Sequence, residues 1–174
     1  MLDTVIEDQN YGLERMKKGD VSACLCASPQ PLQGARSAYV GDLHCAFYAS
    51  PEFKQHYFPD GLTKAAIQAA PAVIYGYKDE LHDVALKDMQ LSTTYPFHIC
   101  PSSEGIEQMI NAGMAYGVLA VKQAERSVEQ GKCVRLTTID QTPGLGIPMY
   151  WHYWRQGAEL YEKLIPLMEK ALDK

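Results

Sequence analysis

Apolar positions along the chain change period several times, and those changes divide it into short elements. LDTVIEDQ (2–9) alternates apolar and polar residues, which predicts a strand, and NYGLERMKKGD (10–20) reads as a short amphipathic helix stopped by Gly19. VSACLCA (21–27) and DLHCAFYAS (42–50) are continuous apolar runs of buried-strand type. Between them SPQPLQGARSA (28–38) carries the prolines and glycine of an irregular crossing. Helices are expected over 51–58 and 62–70, a strand in PAVIYGY (71–77), and a helix in DELHDVALKDM (79–89) that Asp79 can cap. The alternation continues with a strand in YPFHICP, a helix in SSEGIEQMINAGM, a strand in YGVLAV, a helix in KQAERSVEQGK and a strand in CVRLTTI. After the turn-rich DQTPGLG come the aromatic strand IPMYWHYW and one long amphipathic helix, AELYEKLIPLMEKALDK. Alternating α and β units predict an α/β fold with mainly parallel sheets and helices on both faces.

Composition narrows the class without naming a function. Hydrophobic residues at 47% and charged residues at 21% exclude disordered, collagen-like and coiled-coil chains. A chain of 174 residues buries roughly 70% of its unfolded surface, enough for a core without staples. The net charge of -5, with Lys and Arg scattered, repels phosphate backbones, so any contact with DNA belongs to another segment. The N-terminal residues lack the basic and apolar regions of a secretion signal, and no apolar run approaches the roughly 20 residues that span a bilayer. A cytoplasmic location is the expectation.

Five cysteines, Cys24, Cys26, Cys45, Cys100 and Cys133, lie mostly in strand-like runs and read as small buried hydrophobes in a reducing compartment. Cys24 and Cys26 would share a strand face and could ligate metal, but no second CxxC or His cluster completes a zinc set, so no metal and no cofactor are expected. The five histidines are dispersed, and no GxSxG or oriented His–Cys pair appears, which argues against catalysis.

The order of elements has a further property. A β-α-β start and a final strand and helix lack partners in the middle block, so the ends are expected to fold together, with crossings near 28–43 and 140–147. This layout resembles the effector domains of LysR-type transcriptional regulators, a two-lobed type 2 periplasmic-binding-protein-like fold. SSEGIEQMINAGMAYGVLAV followed by KQAERSVEQGKCVRL resembles that family's Ser-containing helix start, glycine turn, strand and helix. LERMKKGDVSACLC is similar to its "L-x-x-G-x-x-D-x-A-I" stretch. ASPEFKQHYFPDGLT, DELH and MYWH are similar to the family's ArgP branch, which responds to arginine and lysine.

The resemblance implies lobe I from residues 1–43 and 147–174, with the family's first strand and helix missing, and lobe II from residues 44–146. It implies that a small effector, for instance an amino acid such as lysine or arginine, closes the two lobes. DNA would be bound only through an N-terminal helix-turn-helix outside this sequence, and the domain would form a homodimer or higher homo-oligomer away from any membrane. Loss of the first strand would leave backbone groups unpaired at roughly 1 to 3 kcal/mol each, so residues 2–8 are expected to pair with 21–27 or with another chain. Ser102 and Ser103 are the first candidates for ligand contact, because a helix N-terminus offers free N–H groups to a carboxylate, although either serine could simply cap the helix. Ser28, Gln30, Tyr75 and Tyr77 follow strands at the carboxyl ends where ligands of open α/β sheets lie. Asp79 could pair with a ligand ammonium, though capping is the commoner role. Gly144 and Gly146 are expected hinges. A stand-alone solute-binding protein of the same fold is the alternative.

Overall fold

The computed structural model describes residues 3–6, 11–138 and 140–172. It divides into two compact units, Met1–Leu43 with Ile147–Lys174, and His44–Gly146. One long strand, β2 (Ala35–Ala49), contributes its first part to one unit and its last part to the other.

In the first unit α1 (Gly12–Lys18) ends where Gly19 turns left-handed at φ 83°, a conformation that costs a residue with a Cβ roughly 1–2 kcal/mol. Next comes β1 (Ala23–Cys26), antiparallel to β7 (Gly146–Trp154), with Cys24 opposite His152 and Cys26 opposite Tyr150. The strand order is β1-β7-β2. Side chains alternate across this sheet as the period of two requires. On one face Met16, Cys24, Cys26 and Ala35 cluster beneath α1, with Trp154 at the margin. On the other, Val40, Met149, Trp151 and Tyr153 pack against α7 (Ala158–Glu162) and α8 (Ile165–Ala171).

The single long helix expected at the C-terminus is thus two. Pro166 cannot donate an N–H and its ring crowds the carbonyl one turn earlier, so it is tolerated only in the first turn of α8 and the chain breaks before it. The strand expected over residues 2–9 is not formed by residues 3–6, its other residues lying outside those described. β1 pairs with β7, and none of the described residues 3–6 is in a strand.

In the second unit the end of β2 pairs antiparallel with β5 (Tyr116–Ala120) and with β6 (Val134–Arg135). Beyond β5 lie β3 (Ala72–Ile74) and β4 (Phe97–Ile99), both in parallel register. The α/β architecture is as expected. Parallel pairing joins β5, β3 and β4, while β2 meets β5 and β6, and β1 meets β7, in antiparallel register.

Helices cover both faces of this second sheet. One face buries Tyr48, Val73, Leu119 and Cys133 under α5 (Ser103–Asn111) and α6 (Val121–Glu129). The other is aromatic: Phe47, Phe53, Phe58 and Tyr116 pack with ring centroids 5.2 to 6.4 Å apart, Phe58 edge to face on Tyr116 and the other pairs tilted. That face carries α2 (Pro51–Tyr57), α3 (Lys64–Ala69) and α4 (Leu81–Asp88). Side-chain caps fix three helix starts, with the Phe53, Ala66 and Gly105 N–H groups donating to the hydroxyls of Ser50, Thr63 and Ser102. At Gly117 a Cβ would stand 2.9 Å from Val73 Cγ1, so β5 and β3 approach over a glycine.

Candidate functional site

Two neighbouring parallel strands end side by side in the second unit. Ile74 of β3 is level with Ile99 of β4, and the Cys100 N–H donates to the Ile74 carbonyl at 2.9 Å. The turn after β3, with Tyr75, Tyr77 and Asp79, therefore adjoins the start of α5, with Ser102 and Ser103. Five of the seven expected contact residues are brought to one rim. Ser28 and Gln30 belong to the first unit, after β1.

Within that rim the groups differ in what remains free to bind. Asp79 accepts from the Tyr75 N–H at 2.9 Å through one carboxylate oxygen and from the Leu81 N–H at 3.0 Å through the other. It closes the turn and accepts the first N–H of α4 from one residue before the cap position, which Glu80 occupies without a side-chain capping bond. Ser102 accepts from the Gly105 N–H at 3.1 Å and donates to Glu104 at 3.1 Å, so its hydroxyl too serves the helix. Ser103 is exposed, and its hydroxyl has no partner among the described residues; only its carbonyl is used, by Gln123. Cys100 packs over the first turn of α5 so closely that a Cβ at position 105 would meet its sulfur at 2.5 Å, which is why Gly105 stands there. Tyr75 lies half-buried against the core, while Tyr77 is 86% exposed with its ring edge on Phe97.

The expected hinge glycines sit in a 3-10 turn, Pro143–Leu145, and at the first residue of β7. The Gly144 N–H donates to Asp88 at 2.7 Å, and a Cβ there would come within 2.6 Å of Val84 Cγ1, so this glycine lets the turn lie against α4. Neither Gly144 nor Gly146 has a positive φ.

Two buried histidines escaped the sequence reading. His82, on α4, is ringed by Phe47, Tyr95 and Tyr116 at 5.0 to 5.6 Å. Neither of its nitrogens has a partner, nor has the Tyr116 hydroxyl. Burial pushes its pKa down to about 4, against the opposing pull of Asp79 and Asp83. His152, on β7, donates through Nε2 to the Ser28 carbonyl at 2.7 Å. Its own burial lowers its pKa, but hydrogen bonds with Cys26 and with that carbonyl outweigh burial and raise it. The CxC spacing was the only available signal for this second cluster; a lone His in an apolar run gives none.

Comparison with known proteins places this geometry. No family model matches the chain. The C-terminal domains of a LysR family protein from Agrobacterium tumefaciens are 32% identical and superpose with a TM-score of 0.81, covering 94% of this chain and 78% of that one. The chain belongs to the LysR family. Within it, the chain is 39% identical over 166 residues to the HTH-type transcriptional regulator ArgP of Pseudomonas aeruginosa, covering 94% of this chain and 54% of that protein. It spans about half the length of the curated relatives it matches. It is also similar to the full-length LTTR LysG of Corynebacterium glutamicum solved with bound effector Arg, at 25% identity and a TM-score of 0.81, covering 95% of this chain and 57% of that one. Of these, ArgP is named as a transcriptional regulator. No helix among the described residues is long and apolar enough to cross a membrane.

Proposed function

We propose that this chain is the ligand-sensing regulatory domain of a LysR-type transcriptional regulator and that it binds a small effector, an amino acid such as arginine or lysine. The observation that carries this reading is the shared rim formed by the ends of β3 and β4, in a chain similar to LysG solved with bound Arg. The backbone N–H groups at the start of α5 and the free Ser103 hydroxyl suit a carboxylate, as the positive end of a helix does. Tyr75 and Tyr77 flank them, and Ser28 and Gln30, which follow β1, are the remaining candidates for effector contact. Asp79 shapes its turn by accepting one backbone N–H on each oxygen, and the remaining lone pairs of its carboxylate suit a ligand ammonium group. Residues 1–43 with 147–174 and residues 44–146 act as two lobes, and Gly144 and Gly146 flex between the bound and free states. The effector shifts that equilibrium only by the difference in its affinity for the two states. DNA is met by a helix-turn-helix domain outside this chain, in a homo-oligomer of such subunits within the cytoplasm.

Calorimetry with arginine, lysine and neutral amino acids tests the proposal. One of them should bind, and Ser103→Ala should weaken it by about 0.5 to 1.5 kcal/mol, the net value of one hydrogen bond. Heat flow indistinguishable from buffer across the whole panel would refute it.

A further inference from the structure

The first unit buries three sulfur-bearing side chains in one cluster that the proposed effector site leaves unused. Cys24 and Cys26 are two residues apart on β1, so the strand's alternation turns both toward α1. Met16 of α1 packs with them, wholly buried, and the exposures of Cys24 and Cys26 are only 9% and 1%. The helix comes down very close over the thiols: a Cβ at Gly12 would lie 3.1 Å from Cys24 Cβ, 3.3 Å from Cys24 Sγ and 3.4 Å from Cys26 Cβ. Directly across the ladder from Cys24 stands His152, completely buried, with Nδ1 unpaired. Apolar packing alone calls for none of these heteroatoms, since aliphatic side chains would fill the same space.

Among the described residues no three His, Cys, Asp or Glu side chains converge on a metal position, so a zinc-type set is absent. A soft monovalent d10 ion asks for less. Thiolate and thioether sulfur select copper(I), and two thiolates with one thioether satisfy it without oxygen or a fourth ligand. We infer that Cys24, Cys26 and Met16 form a binding site for a soft monovalent cation of the copper(I) class. On binding, the ion forms one bond to each cysteine sulfur, the two thiol protons leave to solvent, and Met16 adds a neutral third donor. No oxidation state changes, and the ion closes α1 onto β1 by joining their side chains.

The test is anaerobic titration of the reduced 174-residue protein with copper(I) against a chromogenic copper(I) chelator, repeated with silver(I) by native mass spectrometry. One equivalent should be held, with sulfur-to-copper absorption in the near ultraviolet. Cys26→Ser should weaken binding by more than about 100-fold, beyond what loss of an outer partner costs a metal site. Met16→Leu conserves volume and keeps the fold, and should weaken binding by about tenfold. Cys100→Ser, at the rim of the second unit, should leave it unchanged. Should Cys26→Ser fail to fold, silver-loaded wild type must show Cys24 and Cys26 protected from maleimide during brief partial unfolding, while Cys45 and Cys133 are labelled. The inference is overturned if no equivalent is held, if Met16→Leu binds as wild type does, or if Cys100→Ser abolishes binding.

Discussion

His82 and His152 are equally hidden from solvent, at 1% and 0% exposure, yet their pKa values move in opposite directions. In the second unit the ring is enclosed by aromatic edges and faces that offer no acceptor, so the charged form is disfavoured. In the first unit a backbone carbonyl at 2.7 Å and a thiol face the ring, and they stabilise the charge that burial opposes. Low exposure alone therefore does not predict the sign of a shift. What decides is whether the local secondary structure delivers an acceptor, and a strand end running into an irregular crossing does so where a helix flank on an aromatic sheet face does not.

The largest expected effect comes from breaking the aromatic enclosure. Phe47→Ala should cost about 3–5 kcal/mol in urea unfolding, the usual range for a buried Phe, and by admitting water it should return His82 toward an ordinary pKa. An unfolding loss under 1 kcal/mol would mean that the cluster is not close-packed. Acidification comes next. The folded pKa of His82 is depressed to about 4 and the unfolded value is 6.5, so the unfolded state binds the extra proton and stability falls as pH drops through that window. Between pH 7 and pH 5 the loss from this residue is about 2 kcal/mol. His82→Phe should remove it, and an unchanged slope in that variant would reject the assignment.

Smaller effects sharpen the contrast from the other side. His152→Phe leaves the Ser28 carbonyl without its donor, at a cost of about 1.5 kcal/mol. Because the folded pKa of His152 is raised, its contribution is complete below 6.5 and fades as pH rises through the folded value. NMR titration of the two rings should therefore find His152 above 6.5 and His82 far below it, and coincident curves would end the comparison. Last, Ser102→Ala should cost about 1 kcal/mol through loss of the α5 cap, read as a lowered Tm, with Gly105 losing its acceptor.

The alternation of helices and strands between residues 51 and 132 was legible because each element there is locally consistent, with Ser50, Thr63 and Ser102 placed as caps and apolar runs of strand length. The start of β2 was not. ARSAYV follows Pro29, Pro31 and Gly34 and reads as part of an irregular crossing, yet from Ala35 it is held as strand by β7, more than a hundred residues away in sequence. Pairing at that distance leaves no local trace. At the candidate site, the strand-end addresses of Tyr75, Ser102 and Ser103 followed from fold logic. That each Asp79 oxygen accepts a backbone N–H at its own turn depends on a geometry that composition does not encode. His82 was invisible for the same reason, since an amphipathic stretch such as DELHDVALKDM does not say how many faces will be covered.

β4 closes the second sheet with three residues, and all of them are exposed. Among the described residues no strand lies on its outer side, and Phe97 and Ile99 are 45% and 40% accessible beside the exposed ring of Tyr77. An open edge bearing large apolar groups is a template for unintended strand addition. Purified alone, the domain should therefore lose solubility as its concentration rises. A lysine at position 97 or 99, by placing charge along that border, would keep it dispersed.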